Sequence, residues 1–438
     1  MFIRYLPQFL LSFFFLSSSS YAHNFEQLFN TGIHFYNQGN VESAAHNFDQ
    51  ALTLDPLNIS ILSNCAMTHR KLNNLDLSIA LYEKILTLHP HNGDAAFGLA
   101  QAYLANGTID KGWQHFNKWR TKEVVQKYPQ SITDIKGKTI IIRAEWGLGD
   151  MIQFIRYAQH LKDQGAYVIV EAPHFLINIL SSCSWIDKII LGGSSLPQAD
   201  YEIPLFCLPT LCKTTAQTIP ASIPYLKADE QLVEKWKPII AANKNFKVGI
   251  CWDVGHHDTN IVAWQRTAPL HHWLPLAAID GISLYSLQRN PKIDQEIQQK
   301  LSLHIFENLD SDHGLPGPST SFRINSENEK TGDSPAKPDN TLKNYPMAKT
   351  GAFMDTAAIM QHLDLVITVD TSVAHLAGAL GIPVWVLLPY SPDYRWTLKG
   401  ATTQWYPTMR LFRQPKPGNW DTVMQEVVQA LKTITSKK

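Results

Sequence analysis

The chain has 438 residues with 38 basic and 38 acidic side chains, and its zero formal charge argues against nucleic acid or a strongly acidic surface as partner. An apolar share of 45% and many aromatics suit about three packed domains at ~150 residues each. Five cysteines, none in a Cys-x-x-Cys or zinc-type spacing, leave at least one thiol outside any internal bridge and give no metal signature. Cys65, Cys183 and Cys251 stand in apolar contexts and read as small buried residues, while Cys207 and Cys212 could approach each other.

At the N-terminus Arg4 precedes an apolar run from Phe9 to Leu16, interrupted only by Ser12, and Ser20-Tyr21-Ala22 resembles a cleavage site. Residues 1–22 therefore carry a secretory signal pattern, with an apolar core too short to anchor a bilayer. This pattern predicts export to the periplasm or beyond; a chain that did not use it would stay in the cytoplasm. No later stretch is long and apolar enough to form a membrane helix.

Residues 23–121 hold a repeat. Gly32, Phe35, Gly39, Ala44, Phe48, Ala51 and Pro56 recur 34 residues later as Ala66, His69, Asn73, Ser78, Tyr82, Ile85 and Pro90. A third copy begins at Ala100, Tyr103, Gly107, Gly112 and Phe116 and fades after that. Small residues stand where two helices pack closely, and aromatics where one helix fills the groove of the next. Period and residues resemble the tetratricopeptide repeat, which implies a protein or peptide partner on a concave face, or a spacer docked onto the next domain.

A polar connector from Thr121 to Lys136 precedes a change of pattern at Lys138. The first α/β unit spans 138–228, with strands Thr139–Arg143, Tyr167–Val170 and Lys188–Leu191 and a helix Met151–Gln164. A helix Gln231–Ala242 leads to a second α/β unit over 246–412, with a strand Lys247–Trp252, a helix near Trp273 and a strand Ser283–Gln288. Residues 311–349 are rich in Ser, Pro, Asn, Lys and Gly, the composition of a mobile insertion. The helix Asp355–His362 then leads into Leu365–Leu388, and a last helix covers 419–435.

Leu365–Leu388 is the most informative stretch. It reads as a buried parallel strand, the turn Asp370-Thr371-Ser372, a helix closed by Gly381 and Pro383, and a second strand. Free amides at such a helix start bind phosphate, and open α/β sheets bind ligands beyond their C-terminal strand ends. His375 lies one turn after Thr371 and can face the same way. Gly147-Leu-Gly-Asp150 lies between a strand and a helix in the first unit; Asp150 is equally readable as a helix cap or as a carboxylate facing a ligand. Arg266 could add the positive charge a diphosphate needs. Gln288 ends a strand where ribose or base contacts are common. A dinucleotide fingerprint is half present, with Glu171 in place and Ile152 where a small residue is required. His256-His257-Asp258 and His271-His272 lack metal-ligand spacing.

Gly-x-Gly-Asp150, Ser286-Leu-Gln288, Asp355-Thr-Ala-Ala358, Val369-Asp-Thr-Ser-Val-Ala-His-Leu-Ala-Gly378, Val384–Tyr390, Arg395-Trp396 and Trp405–Phe412 together resemble the bacterial glycosyltransferases related to the lipopolysaccharide heptosyltransferases (glycosyltransferase family 9), in the subgroup preceded by tetratricopeptide repeats. The architecture is also similar to the O-linked N-acetylglucosamine transferases. The resemblance implies an α plus α/β chain: helical repeats, then a GT-B pair of Rossmann-like domains with the site between them and a last helix crossing back to the first domain. It implies no cofactor or metal, a nucleotide-sugar donor, and a glycan or protein acceptor. Asp150 would be the general base, Asp370, Thr371, Ser372 and His375 would surround the diphosphate, Arg266 would contact it, and Gln288 would stand near the nucleoside. The loop from Asp253 to Arg266 departs from the subgroup's usual form, and the 311–349 insertion has no counterpart in it. Sugar nucleotides are cytoplasmic in bacteria, so export would separate the enzyme from its donor. The competing expectation is a binding or scaffold protein that keeps the repeats and the GT-B-like frame without turnover; a NAD-dependent enzyme is a distant third.

Overall fold

The computed structural model describes residues 24–118, 120, 129, 131–145, 147–254, 265–288, 294–306 and 353–436. The signal-like segment, most of the polar connector, His256-His257-Asp258 and the 311–349 insertion lie outside them. The chain divides into two compact units, residues 1–121 with 393–398, and 122–392 with 399–438.

The first unit is helical. Helices α1 (24–37), α2 (Val41–Leu54), α3 (Ile59–Lys71), α4 (Leu75–Leu88), α5 (Gly93–Ala105) and α6 (Ile109–Phe116) follow one another through short turns. Asn58 and Asn92 begin α3 and α5 by accepting hydrogen bonds from first-turn amides, as short polar caps do. Phe48, Ala51, Ile61, Leu62, Ala66, Tyr82 and Ile85 form one buried core, which is the expected alternation of small and aromatic positions. The third copy ends where its pattern fades, at Phe116. α6 is only 8 residues long, yet Trp113 and Phe116 are buried, and Tyr394 of the 393–398 segment meets both edge-on, with ring centroids 6.3 and 5.8 Å away. Residues remote in sequence thus complete the aromatic packing that the local pattern lacks.

The second unit holds two parallel sheets. β1 (Thr139–Arg143), β2 (Tyr167–Ala172), β3 (Lys188–Leu191) and β4 (Tyr201–Pro204) pair in the order β3-β2-β1-β4. β5 (Phe246–Cys251), β6 (Ile282–Ser286), β7 (Leu365–Val369), β8 (Val384–Leu388) and β9 (Met409–Arg413) pair in the order β6-β5-β7-β8-β9. Every residue of β7 and β8 is buried, which explains their nearly continuous apolar sequences, interrupted only by Thr368. This is the expected pair of Rossmann-like domains, a GT-B-like frame that follows the helical repeats in sequence. In each sheet the strand order reverses beside the first strand, between β1 and β4 and between β5 and β7. Those reversals mark the crevices where open α/β sheets take ligands.

Three local expectations change. The helix expected over Met151–Gln164 is two short helices, α7 (Leu148–Phe154) and α8 (Tyr157–Asp163), joined at Ile155 and Arg156. The Arg156 Nε–H donates to the Gln153 carbonyl, so the side chain is folded onto the end of α7. The helix expected near Trp273 is a 3-10 helix, Leu270–Ala278, with Pro275 inside it. The C-terminal helix α15 (Trp420–Thr435) does not carry its apolar face across to the first sheet: Trp420, Val423, Met424, Val427 and Leu431 are seated in the core of the second, with Trp273, Leu276 and Phe412.

Candidate active site

The site is built where α7 meets α14 (Ser372–Ala379), the helix that follows β7. Gly149, on the first turn of α7, makes the approach possible: a Cβ there would stand 2.8 Å from His375 Cδ2 and 3.4 Å from Ser372 Cα. Glycine is therefore required by close packing. The crevices of both sheets consequently open toward the same place.

Thr371 caps α14, its hydroxyl accepting from the Val373 amide (3.2 Å). Ser372 opens the helix, and both residues are half-buried. The first-turn amides of a helix have no intrahelical acceptor and point outward from its start. Arg266 stands beside this turn. Its Nη1 donates to the Asp370 carbonyl (3.3 Å) and lies 3.7 Å from the Asp370 carboxylate. Asp370 is buried. The Nε–H of Arg266 is buried without a hydrogen-bond partner among the described residues. The geometry thus joins Arg266, Asp370, Thr371 and Ser372 at one strand-to-helix turn.

Gln288 lies two residues beyond β6, and its Oε1 accepts from the Asp253 amide (3.1 Å) and the Cys251 thiol (3.3 Å). It ties the loops after β5 and β6 together, which places it at the crevice rim. Burial pushes the Cys251 thiol up to about 11, so it is a neutral donor there.

Asp150 is the third residue of α7, and its carboxylate accepts from the Gly147 amide (2.9 Å). The cap reading is therefore present in a modified form: Asp150 reaches back from the first turn. Glu171, the residue that fitted a dinucleotide fingerprint, is engaged within the protein. It is buried, pairs with Arg143 (2.6 Å) and accepts from the Gly193 amide (3.2 Å). His272 is paired with Asp421 (2.6 Å). None of the five cysteines is disulfide-bonded, Cys207 and Cys212 included. Among the described residues no three His, Cys, Asp or Glu side chains are grouped to hold a metal ion.

His375 is 2% exposed and sits inside the junction. Its Nδ1 is 3.0 Å from the Tyr406 hydroxyl, and its Cδ2–Nε2 edge faces Gly149. Tyr406 belongs to a set missed in sequence reasoning. Arg156 is buried between the rings of Tyr225 and Tyr406, 4.5 and 4.4 Å from their centroids, and its guanidinium donates to the Pro220 and Trp405 carbonyls and to the Tyr225 hydroxyl. The available signal was an arginine amid the apolar run Met151–Tyr157.

Comparison with known proteins identifies one segment of the chain. Residues 70–118 match the tetratricopeptide repeat family. The repeat region thus covers the last helix pairs of the first unit. Over 93% of its length the chain is 24% identical to Protein FlbA of Caulobacter vibrioides, spanning 67% of that protein. Among solved structures it is similar to the glycosyl transferase family 9 protein of Veillonella parvula, at 11% identity and a TM-score of 0.45, over 69% of this chain and 99% of that one. It is also similar to the ADP-heptose lps heptosyltransferase II of E. coli, at 12% identity and a TM-score of 0.41, over 68% of this chain and 99% of that one.

Proposed function

We propose that the chain is a metal-independent, inverting glycosyltransferase that moves a sugar from a nucleotide-sugar donor to a glycan or protein acceptor. The observation that carries this reading is the anion-receptive turn at Arg266, Asp370, Thr371 and Ser372, set beside Gly149 and Asp150 of the facing domain. A leaving nucleoside diphosphate gains charge as the glycosidic bond breaks. A helix start with an arginine stabilises that charge and is already oriented before reaction. The acceptor hydroxyl must lose its proton as it attacks the anomeric carbon, and Asp150 is the carboxylate on the acceptor side suited to take it. Gln288 is assigned to the nucleoside and the tetratricopeptide repeats to a protein or peptide partner. Residues 1–22 are assigned to export.

The Asp150→Asn variant tests the chemistry. Asparagine keeps an oxygen for the Gly147 amide, so α7 should stay capped, but it cannot take a proton. Release of nucleoside diphosphate in the presence of acceptor should fall at least about 100-fold, the scale of a lost general base, with the melting temperature unchanged. An active enzyme that kept its rate after this change would refute the assignment. A second reading, a binding protein without turnover, is favoured by the engagement of Asp150 with its own helix; that protein would bind nucleotide sugar and release none.

A further inference from the structure

Arg156 is 3% exposed and lies where the two Rossmann-like domains meet. Its guanidinium is shared between them. Nε donates to the Gln153 carbonyl of the preceding helix (2.8 Å), while Nη1 donates to the Pro220 carbonyl (2.7 Å) and, across the junction, to the Trp405 carbonyl of the second domain (2.6 Å). The cation also stands over the rings of Tyr225 and Tyr406, one from each domain. A planar fork that reaches carbonyls on both sides fixes their spacing, which a single ammonium or an apolar contact does less well. Neighbouring contacts run the same way. Phe154 meets Trp405 edge-on with ring centroids 5.4 Å apart. The Tyr225 and Leu226 amides both donate to the carbonyl of Ala379, the last residue of α14 (2.9 and 3.3 Å). Gly149 admits α7 to the start of the same helix. The first domain thus grips α14 at both ends. Two domains ordinarily move against each other unless their interface is extensive. Parting these two would take the Trp405 carbonyl from a buried charge, a costly loss. Nor does ligand entry need it: the Arg266 side chain is 32% exposed, and Asp150, Thr371 and Ser372 are half-buried.

We propose that Arg156 is a positioning residue that keys the first Rossmann-like domain to the second at one fixed spacing, so that Asp150 on α7 and the Arg266–Ser372 turn stay matched without domain opening. The carboxylate and the turn belong to different domains, and only the junction sets the distance between them. Substrates then enter and leave an open crevice whose two walls do not move apart. The catalytic half of this inference rests on the glycosyltransferase reading; the fixed spacing does not.

The test measures the distance between the domains. In the full chain, Lys188→Cys on β3 and Glu426→Cys on α15, both exposed positions, carry spin labels for pulsed electron resonance. A parallel sample without the two substitutions corrects for the native thiols. With Arg156 in place the distance distribution should be single and narrow, and the same with and without ADP, UDP or GDP. Arg156→Met keeps an apolar stem between the rings but withdraws the donor from three carbonyls, so the distribution should broaden or shift by more than about 2 Å, the scale of a domain rearrangement. Arg156→Lys keeps the charge on a single nitrogen and should fall between the two. A shift of more than about 2 Å on adding a nucleotide to the chain with Arg156 intact, or an Arg156→Met distribution identical to it, would overturn the proposal. Should Arg156→Met fail to fold, the intact chain and Arg156→Lys decide it. In a transfer assay, counted per folded molecule, Arg156→Lys should lower kcat roughly 10- to 100-fold, the scale of a misplacement near 1 Å. The donor KM should stay unchanged, because the Arg266–Ser372 turn lies wholly within the second domain. A raised donor KM with kcat intact would contradict the positioning role. The expected distances with no nucleoside diphosphate released under any condition would leave the fixed spacing standing and remove the glycosyltransferase reading.

Discussion

At the scale of single residues, burial and hydrogen bonding set what each group can do. Burial holds Cys65, Cys183 and Cys212 at about 12 and Cys251 at about 11, so near pH 8 only about one thiol in a thousand or fewer is the reactive thiolate. Alkylation at pH 8 should therefore label these four thiols far more slowly in the folded chain than after unfolding, as read by peptide mass spectrometry; rapid labelling of Cys251 in the folded state would contradict its place in the core. On the proposed reading, Thr371 and Ser372 offer hydroxyls to an anion where Arg266 offers charge. The double change Thr371→Val with Ser372→Ala should weaken nucleotide binding roughly 10- to 100-fold, since a hydrogen bond to a charged group contributes ~1.5–3 kcal/mol. Calorimetric titration would measure it, and unchanged affinity would remove the turn from the donor site. The sequence made these residues visible because capping types stood at a strand-to-helix junction. Tyr406, Tyr225 and Arg156 were not visible as a group, because only folding brings them together.

At the scale of elements, apolar runs were the most legible feature. β1, β5, β7 and β8 read directly from continuous or near-continuous apolar sequence, because each is covered on both faces. β4 and β9 were harder to see. β4 is 4 residues long with Glu202 inside it, and β9 is an edge strand on which Arg410 faces solvent. The break between α7 and α8 escaped because the apolar spacing continues through it, and the buried Arg156 that marks it satisfies its guanidinium on carbonyls distant in sequence. Close packing of repeat helices can be tested at Gly98, where a Cβ would collide with the Tyr82 ring. Gly98→Ala should destabilise the helical unit by ~1–3 kcal/mol, the usual cost of overpacking. A melt followed by helical circular dichroism would show a lower midpoint; an unshifted one would mean that the Tyr82 ring moves aside freely.

At the scale of the molecule, a helical unit precedes two Rossmann-like sheets whose strand-order reversals open toward one junction. The order of architecture was legible because the period changes sharply, from 34-residue helical repeats to strand–helix alternation after Lys138. The place of the 393–398 segment with the repeats was not legible, since nothing in its local sequence refers to Trp113 or Phe116. Nor was the seating of α15 on the second sheet, since an apolar stripe does not specify which core receives it.

The central claim is a nucleotide-sugar site at the Arg266–Ser372 turn. Its most direct test is thermal unfolding of the chain with ADP, UDP, GDP and their sugar conjugates, alongside an Arg266→Ala variant. A ligand at a hundred times its Kd stabilises a protein by ~2.7 kcal/mol, a readily measured shift in Tm. The expected result is a rise with one nucleotide class that the variant loses. No rise with any of them in a well-folded sample, or a rise that survives Arg266→Ala unchanged, would contradict the claim.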